Sequence, residues 1–200
     1  MKKSLMFVFL LFCVAGSALG QVPKCSIGST SFACPDNYFT EIKLKETDIR
    51  AFRYKSEGST MVFYVAVPNG VFDQTKVGGS LFQAVSGKNN KFVWKRLGEV
   101  FEMNTSTKYK YDLVSYLGMS DDVLIEIKAF FFNINGKKII LGYLQDWKGS
   151  KSENKRRYDA ASSIGGSGPG CNEVVTVLNS ITKEFPEKEQ YCTLMTFTTN

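Results

Sequence analysis

The stretch from Val123 to Leu144, VLIEIKAFFFNINGKKIILGYL, constrains the fold of this 200-residue chain more than any other. Asn135-Gly136 lies between two apolar runs and is the dipeptide best suited to the two positive φ angles of a type I′ hairpin turn. Pairing outward from the turn sets Phe132 against Ile139, Phe131 against Ile140 and Phe130 against Leu141. Successive strand side chains point to opposite faces. A ribbon that is apolar at consecutive positions must therefore be covered on both sides and lie near the middle of a sheet. Nearer its start, Glu126 and Lys128 alternate with Ile125 and Ile127, which predicts that one face there meets water.

Other strand signals surround this hairpin. Ile42–Lys45 and Lys108–Val114 alternate with period two, and Met61–Val67 is a β-branched and aromatic run stopped by Pro68-Asn69-Gly70. Leu81–Val85 and Lys91–Lys95 flank SGKNN, which reads as a hairpin loop. The pattern predicts a mainly β fold, an antiparallel β-sandwich or a small β-barrel. One helix is expected near the C-terminus, where Val174, Val177, Leu178, Ile181 and Phe185 mark a single face. Asn172 is its expected N-cap and Pro186 its stop, and Tyr191–Thr198 then alternates as a last strand. With a hydrophobic fraction of 44% the chain can bury a sizeable core. The expected organisation is a leader at 1–20, a β-rich core at 21–147 and a basic, then Gly/Ser-rich loop at 148–170. The segment 171–200 should pack on the same domain.

The leader reading rests on Lys2 and Lys3, an apolar run from Leu5 to Val14, and small residues at Ala18 and Gly20. It predicts export, an extracellular location and no transmembrane segment. The four cysteines beyond the leader, Cys25, Cys34, Cys171 and Cys192, then read as two disulfides. Short loops close first, which favours Cys25–Cys34 and Cys171–Cys192 over a bridge between the two ends of the domain. The sequon at Asn104 is expected to carry a glycan.

The chain has no histidine. That excludes a Ser-His-Asp triad, a Cys-His pair and a histidine-built zinc site, and no cofactor or metal is expected. Carboxylate-only chemistry survives, glycoside hydrolysis above all. Its candidates, Glu99, Glu102, Asp121, Asp122 and Asp146, read more simply as solvated surface acids. No enzymatic activity is expected.

Excess charge is concentrated. The segment Lys148–Arg157 holds five cations, Lys148, Lys151, Lys155, Arg156 and Arg157, against Glu153 alone. A basic loop of this kind could meet an anionic partner, whereas a nucleic-acid binder would show a basic face with interleaved aromatics. Trp147, beside that loop, is the expected ligand contact, while Trp94 sits mid-strand and reads as core. These features predict a secreted, non-catalytic binding module for an extracellular protein or glycan, in host defence or at a cell surface. A β-barrel carrier of a small apolar ligand is the alternative, with Phe63, Phe72, Phe130, Phe131 and Phe132 as its cavity wall.

Overall fold

The computed structural model describes residues 23–55, 60–103, 111–161, 177 and 180, the side chains of 98–103 excepted. A first hairpin, β1 (Lys24–Ile27) and β2 (Thr30–Ala33), is closed by Gly28 at φ +54° and by a disulfide between Cys25 and Cys34. The remaining strands are β3 (Phe39–Ile42), β4 (Ile49–Tyr54), β5 (Val62–Ala66), β6 (Val93–Met103), β7 (Tyr111–Ser120), β8 (Val123–Ile134) and β9 (Lys137–Trp147). They form one antiparallel sheet in the order β3-β4-β5-β9-β8-β7-β6. Two helices, α1 (Gln74–Ser86) and α2 (Lys151–Ala160), complete the described elements.

The central hairpin has the register expected from its turn. Phe132 opposes Ile139, Phe131 opposes Ile140 and Phe130 opposes Leu141, with Asn135 at φ 52° and Gly136 at φ 76°. Strands β8 and β9 lie mid-sheet, and both faces of the ribbon are covered. On one face Phe63, Phe130, Phe132, Leu141 and Tyr143 pack against Cys25, Ile27 and Phe32 of the first hairpin and against Val177. On the other, Tyr64, Ile125, Ile127, Ile140 and Leu144 pack under α1 through Val77, Leu81 and Phe82. Each such side chain contributes roughly 1.5–3 kcal/mol relative to exposure.

The mainly β, antiparallel, disulfide-stapled architecture with a helix towards the C-terminus is therefore present, but the barrel is not. Strands β3 and β6 end the sheet and do not pair with each other. The five phenylalanines are also split by the sheet. Phe63, Phe130 and Phe132 belong to one core, while Phe72 and Phe131 meet edge-on at 6.0 Å on the opposite side. They fill two packed layers, so the cavity wall of an apolar carrier does not exist.

Two helices replace expected strand and loop. Leu81–Val85, read as a strand, is the last part of α1. Asp73 caps its start by accepting from Thr75 N and Lys76 N at 3.0 and 3.1 Å, and Gly87 at φ 69° ends it. The first part of the expected 148–170 loop is α2, started by Ser150, whose hydroxyl accepts from Glu153 N at 3.3 Å. The expected C-terminal helix is seen at Val177 and Ser180, both helical, with Val177 fully buried. Its other positions and the strand at Tyr191–Thr198 lie outside the described residues.

Candidate functional site

Because β3, β4, β5, β8 and β9 run antiparallel, their connections at one end of the sheet come together. The turn at Gly28-Ser29, the segment Thr47-Asp48 before β4, Val67–Gly70 after β5, and the β8–β9 turn at Gly136 surround one cleft of about 770 Å³. Ile27, Val67 and Pro68 give it apolar walls, and Ser29, Thr47, Asp48, Asn69, Lys137 and Lys138 give it polar groups. The volume falls within the roughly 300–1,000 Å³ of small-molecule sites.

Its parts are held by short bonds. Lys137 Nζ donates to Ser29 Oγ at 2.8 Å, which ties the first hairpin to the β8–β9 turn. Lys138 Nζ stands 5.4 Å from the centre of the Phe131 ring. Val67 N donates to Asp48 O at 2.9 Å, which joins two of the lining segments. Asp48, in contrast, makes no ion pair with either lysine.

A second polar group is buried inside the sheet. Glu126 and Lys128, expected on a solvated face, are only 3% and 2% exposed. The alternation was real, but that face of β8 is covered. Lys128 Nζ lies 3.5 Å from Glu126 Oε1. The carboxylate also accepts from Ser115 Oγ at 3.0 Å and from Gln145 Nε2 at 3.1 Å. Lys128 stands 5.7 Å from the centre of the Tyr143 ring. Burial pushes the Lys128 ammonium below the usual lysine range, and Glu126 partly opposes that shift. The cluster is a satisfied network in the core, with no lining residue in common with the cleft.

The basic segment is more self-contained than its composition implied. Three of its five cations are engaged: Lys148 with Asp146, Lys155 with Asp159, and Arg157 with Glu153. Arg157 also sits 5.3 Å from the centre of the Trp147 ring, so that the indole, 38% exposed, is partly occupied by its own neighbour. Lys151 and Arg156 remain solvated and lie about 140° apart around α2, since five residues at about 100° each make one full turn and about 140° more. They do not form one anion-binding face.

Of the candidate acids, Asp121, Asp122 and Asp146 do not line the cleft. Asp121 and Asp122 occupy the exposed β7–β8 turn, and Asp146 is paired with Lys148. The side chains of Glu99 and Glu102 lie outside the described residues, as do residues 1–22, Asn104, Cys171 and Cys192. Among the described residues, no group of three or more acids or cysteines could hold a metal ion. No described helix is long and apolar enough to cross a membrane.

Sequence reasoning missed the cleft. Its signals were on the page as turn residues, at Gly28-Ser29, Pro68-Asn69-Gly70 and Asn135-Gly136. Which of those turns meet is a property of strand order, which one chain read alone did not supply.

No protein-family profile matches the chain, and no curated protein does. Among solved structures it is similar to the Ran-binding protein Mog1p of Saccharomyces cerevisiae, with a TM-score of 0.42 and 8% identity. That alignment covers 82% of this chain and 94% of the other. A mutant of protein Mog1 aligns over the same shares, with a TM-score of 0.41 and 8% identity. The reading of a secreted, extracellular module for a protein or glycan finds no support in these comparisons and is set aside. Of the two, the Mog1p structure is the one named for Ran binding. Secretion and an extracellular site are not carried forward, and the leader-like segment that suggested them lies outside the described residues.

Proposed function

We propose that this chain is a non-catalytic binding protein whose ligand seat is the cleft at the end of the sheet. One observation carries the reading: four segments far apart in sequence, around Ser29, Thr47, Asn69 and Lys137, close on a single cavity of about 770 Å³. Loops held by a rigid sheet are where binding residues concentrate. That Asp121, Asp122 and Asp146 lie outside the cleft supports binding over hydrolysis there. The internal pairing of the basic helix supports a ligand other than nucleic acid, for which a continuous basic face would be needed. Ran binding is named for the Mog1p structure, and at a TM-score of 0.42 it is not transferred.

The test is a titration of isotopically labelled protein with a small-molecule library, followed residue by residue by NMR. Shifts gathered at 27–30, 47–48, 67–70 and 136–138 are expected. Shifts gathered elsewhere, or turnover of any library member, would overturn the reading.

A further inference from the structure

The charges of the cleft are left open, although five ion pairs form elsewhere among the described residues. Glu41 and Arg50, Glu126 and Lys128, Asp146 and Lys148, Asp159 and Lys155, and Glu153 and Arg157 all lie within ion-pair distance. Lys137, Lys138 and Asp48 line one cavity, yet no ion pair joins them. Both ammonium groups are placed by other contacts, one on Ser29 Oγ at 2.8 Å and one over the Phe131 ring at 5.4 Å. Neither contact neutralises them. Ser29 Oγ, having accepted from Lys137, keeps its own proton for donation into the cleft. Thr47 and Asn69 stand on the same lining without a side-chain partner among the described residues.

We propose that the cleft takes a small zwitterion, an amino acid or short peptide, with its carboxylate against Lys137 and its ammonium against Asp48. The inference rests on the cleft being the binding site. A ligand with both charges satisfies both walls, whereas a neutral ligand satisfies neither and a simple anion leaves Asp48 opposed. Charge-assisted hydrogen bonds of this kind are about twice as strong as neutral ones, so each end should be separately readable. The cavity has room for more than a single amino acid, and the hydroxyls of Ser29 and Thr47 and the carboxamide of Asn69 suit the polar backbone of a short peptide.

The probe is alanyl-alanine, titrated into isotopically labelled protein beside its N-acetyl and C-amide derivatives. The dipeptide is expected to shift cleft residues, and each derivative to bind about tenfold more weakly. In D48N the N-acetyl penalty should vanish, and in K137Q the C-amide penalty should vanish. All these positions are at the surface, and dispersed spectra will confirm that the variants fold. Equal binding of the three probes would overturn the charge inference and leave the cleft as the site. So would cleft shifts with inorganic phosphate but none with the dipeptide. Shifts with no probe or library member would remove both the inference and the reading beneath it.

Discussion

Trp94 of β6 and Gly118 of β7 oppose each other across the sheet, and the indole lies directly over the glycine. A Cβ at Gly118 would come within 2.8 Å of Trp94 Cζ3 and 3.0 Å of Cε3 and Cη2. From the other side, a Cβ at Gly78 of α1 would meet Trp94 Cη2 at 2.8 Å and Ile127 Cδ1 at 3.3 Å. Two glycines thus make the slot that holds one ring between helix and sheet.

Filling that slot should cost stability. The indole is a rigid plane in a packed layer, so G118A or G78A forces a shift of side chain or backbone. Overpacking of this kind costs typically about 1–3 kcal/mol. Urea unfolding should show a lower midpoint with an unchanged slope in both variants. A G78A variant as stable as the parent, or more so through its better helix propensity, would show that Trp94 moves aside freely.

That slot also explains what was legible in the sequence and what was not. The β8–β9 hairpin could be read because Asn135-Gly136 fixes the turn, and the turn fixes the register of Phe130, Phe131 and Phe132. Helix α1 was obscured in part by a residue the slot demands. Gly78, with Gly79 beside it, lowers helix propensity, and the apolar run of Leu81, Phe82 and Val85 then passes for a strand. The caps at Asp73 and Gly87 were the better signal. Helix α2 has almost no apolar face, since only Asn154 is buried, so periodicity was silent and only Ser150 and Glu153, three residues apart, marked its start. Glu126 and Lys128 misled because alternation reports which residues share a face, not whether that face is covered. The cleft was illegible for a different reason: its residues become neighbours only through the strand order.

The buried pair should be sensitive to loss of one member. K128M leaves Glu126 in the core without its cation, and breaking such a pair costs about 3–5 kcal/mol. E126Q/K128M, which removes both charges, should recover most of that loss. The pH dependence separates the effects further. Burial lowers the Lys128 pKa in the folded protein, so between that value and the ordinary value of about 10.4 the unfolded chain binds more protons. Stability therefore rises with pH through this window, and the contribution is lost as pH falls through the lowered folded value. Unfolding at several pH values up to about 10 should show the parent gaining on the double variant. A constant difference would mean that Lys128 does not titrate apart from the unfolded chain.

The first hairpin depends on its staple. Cys25 and Cys34 are separated by 9 residues and Cys25 is 3% exposed, so the bridge both closes a loop and fills space in the core. The chain-entropy model gives a loop of this length roughly 2.5–3 kcal/mol. A C25A/C34A variant should lose about that much in chemical unfolding. The loss should be concentrated in faster amide exchange of β1 and β2. Because Lys137 holds Ser29 at the tip of this hairpin, ligand binding in the cleft should weaken with it. Unaltered exchange in Thr30–Ala33 would show that packing against Phe130 and Phe132 suffices.

Asn154 is the hinge between α2 and the sheet, and its amide can be tested by an isosteric change. The side chain is 1% exposed, and Nδ2 donates to the carbonyl of Asp122 at 2.8 Å, with those of Trp147 and Gly149 each at 3.5 Å. One donor group thus ties the start of α2 to the β7–β8 turn and to the end of β9. N154A removes the donor to these partly buried contacts, a loss of about 1 kcal/mol. N154D keeps the shape but sets a carboxylate against those same carbonyls, so it should be worse than alanine at neutral pH. If the aspartate protonates in acid, it regains a donor, and N154D should then approach the parent as pH falls. Amide exchange across Lys151–Ala160 and the fluorescence of Trp147 are the readouts. If N154D and N154A behave alike at every pH, cavity formation and not the lost hydrogen bonds governs how α2 is docked.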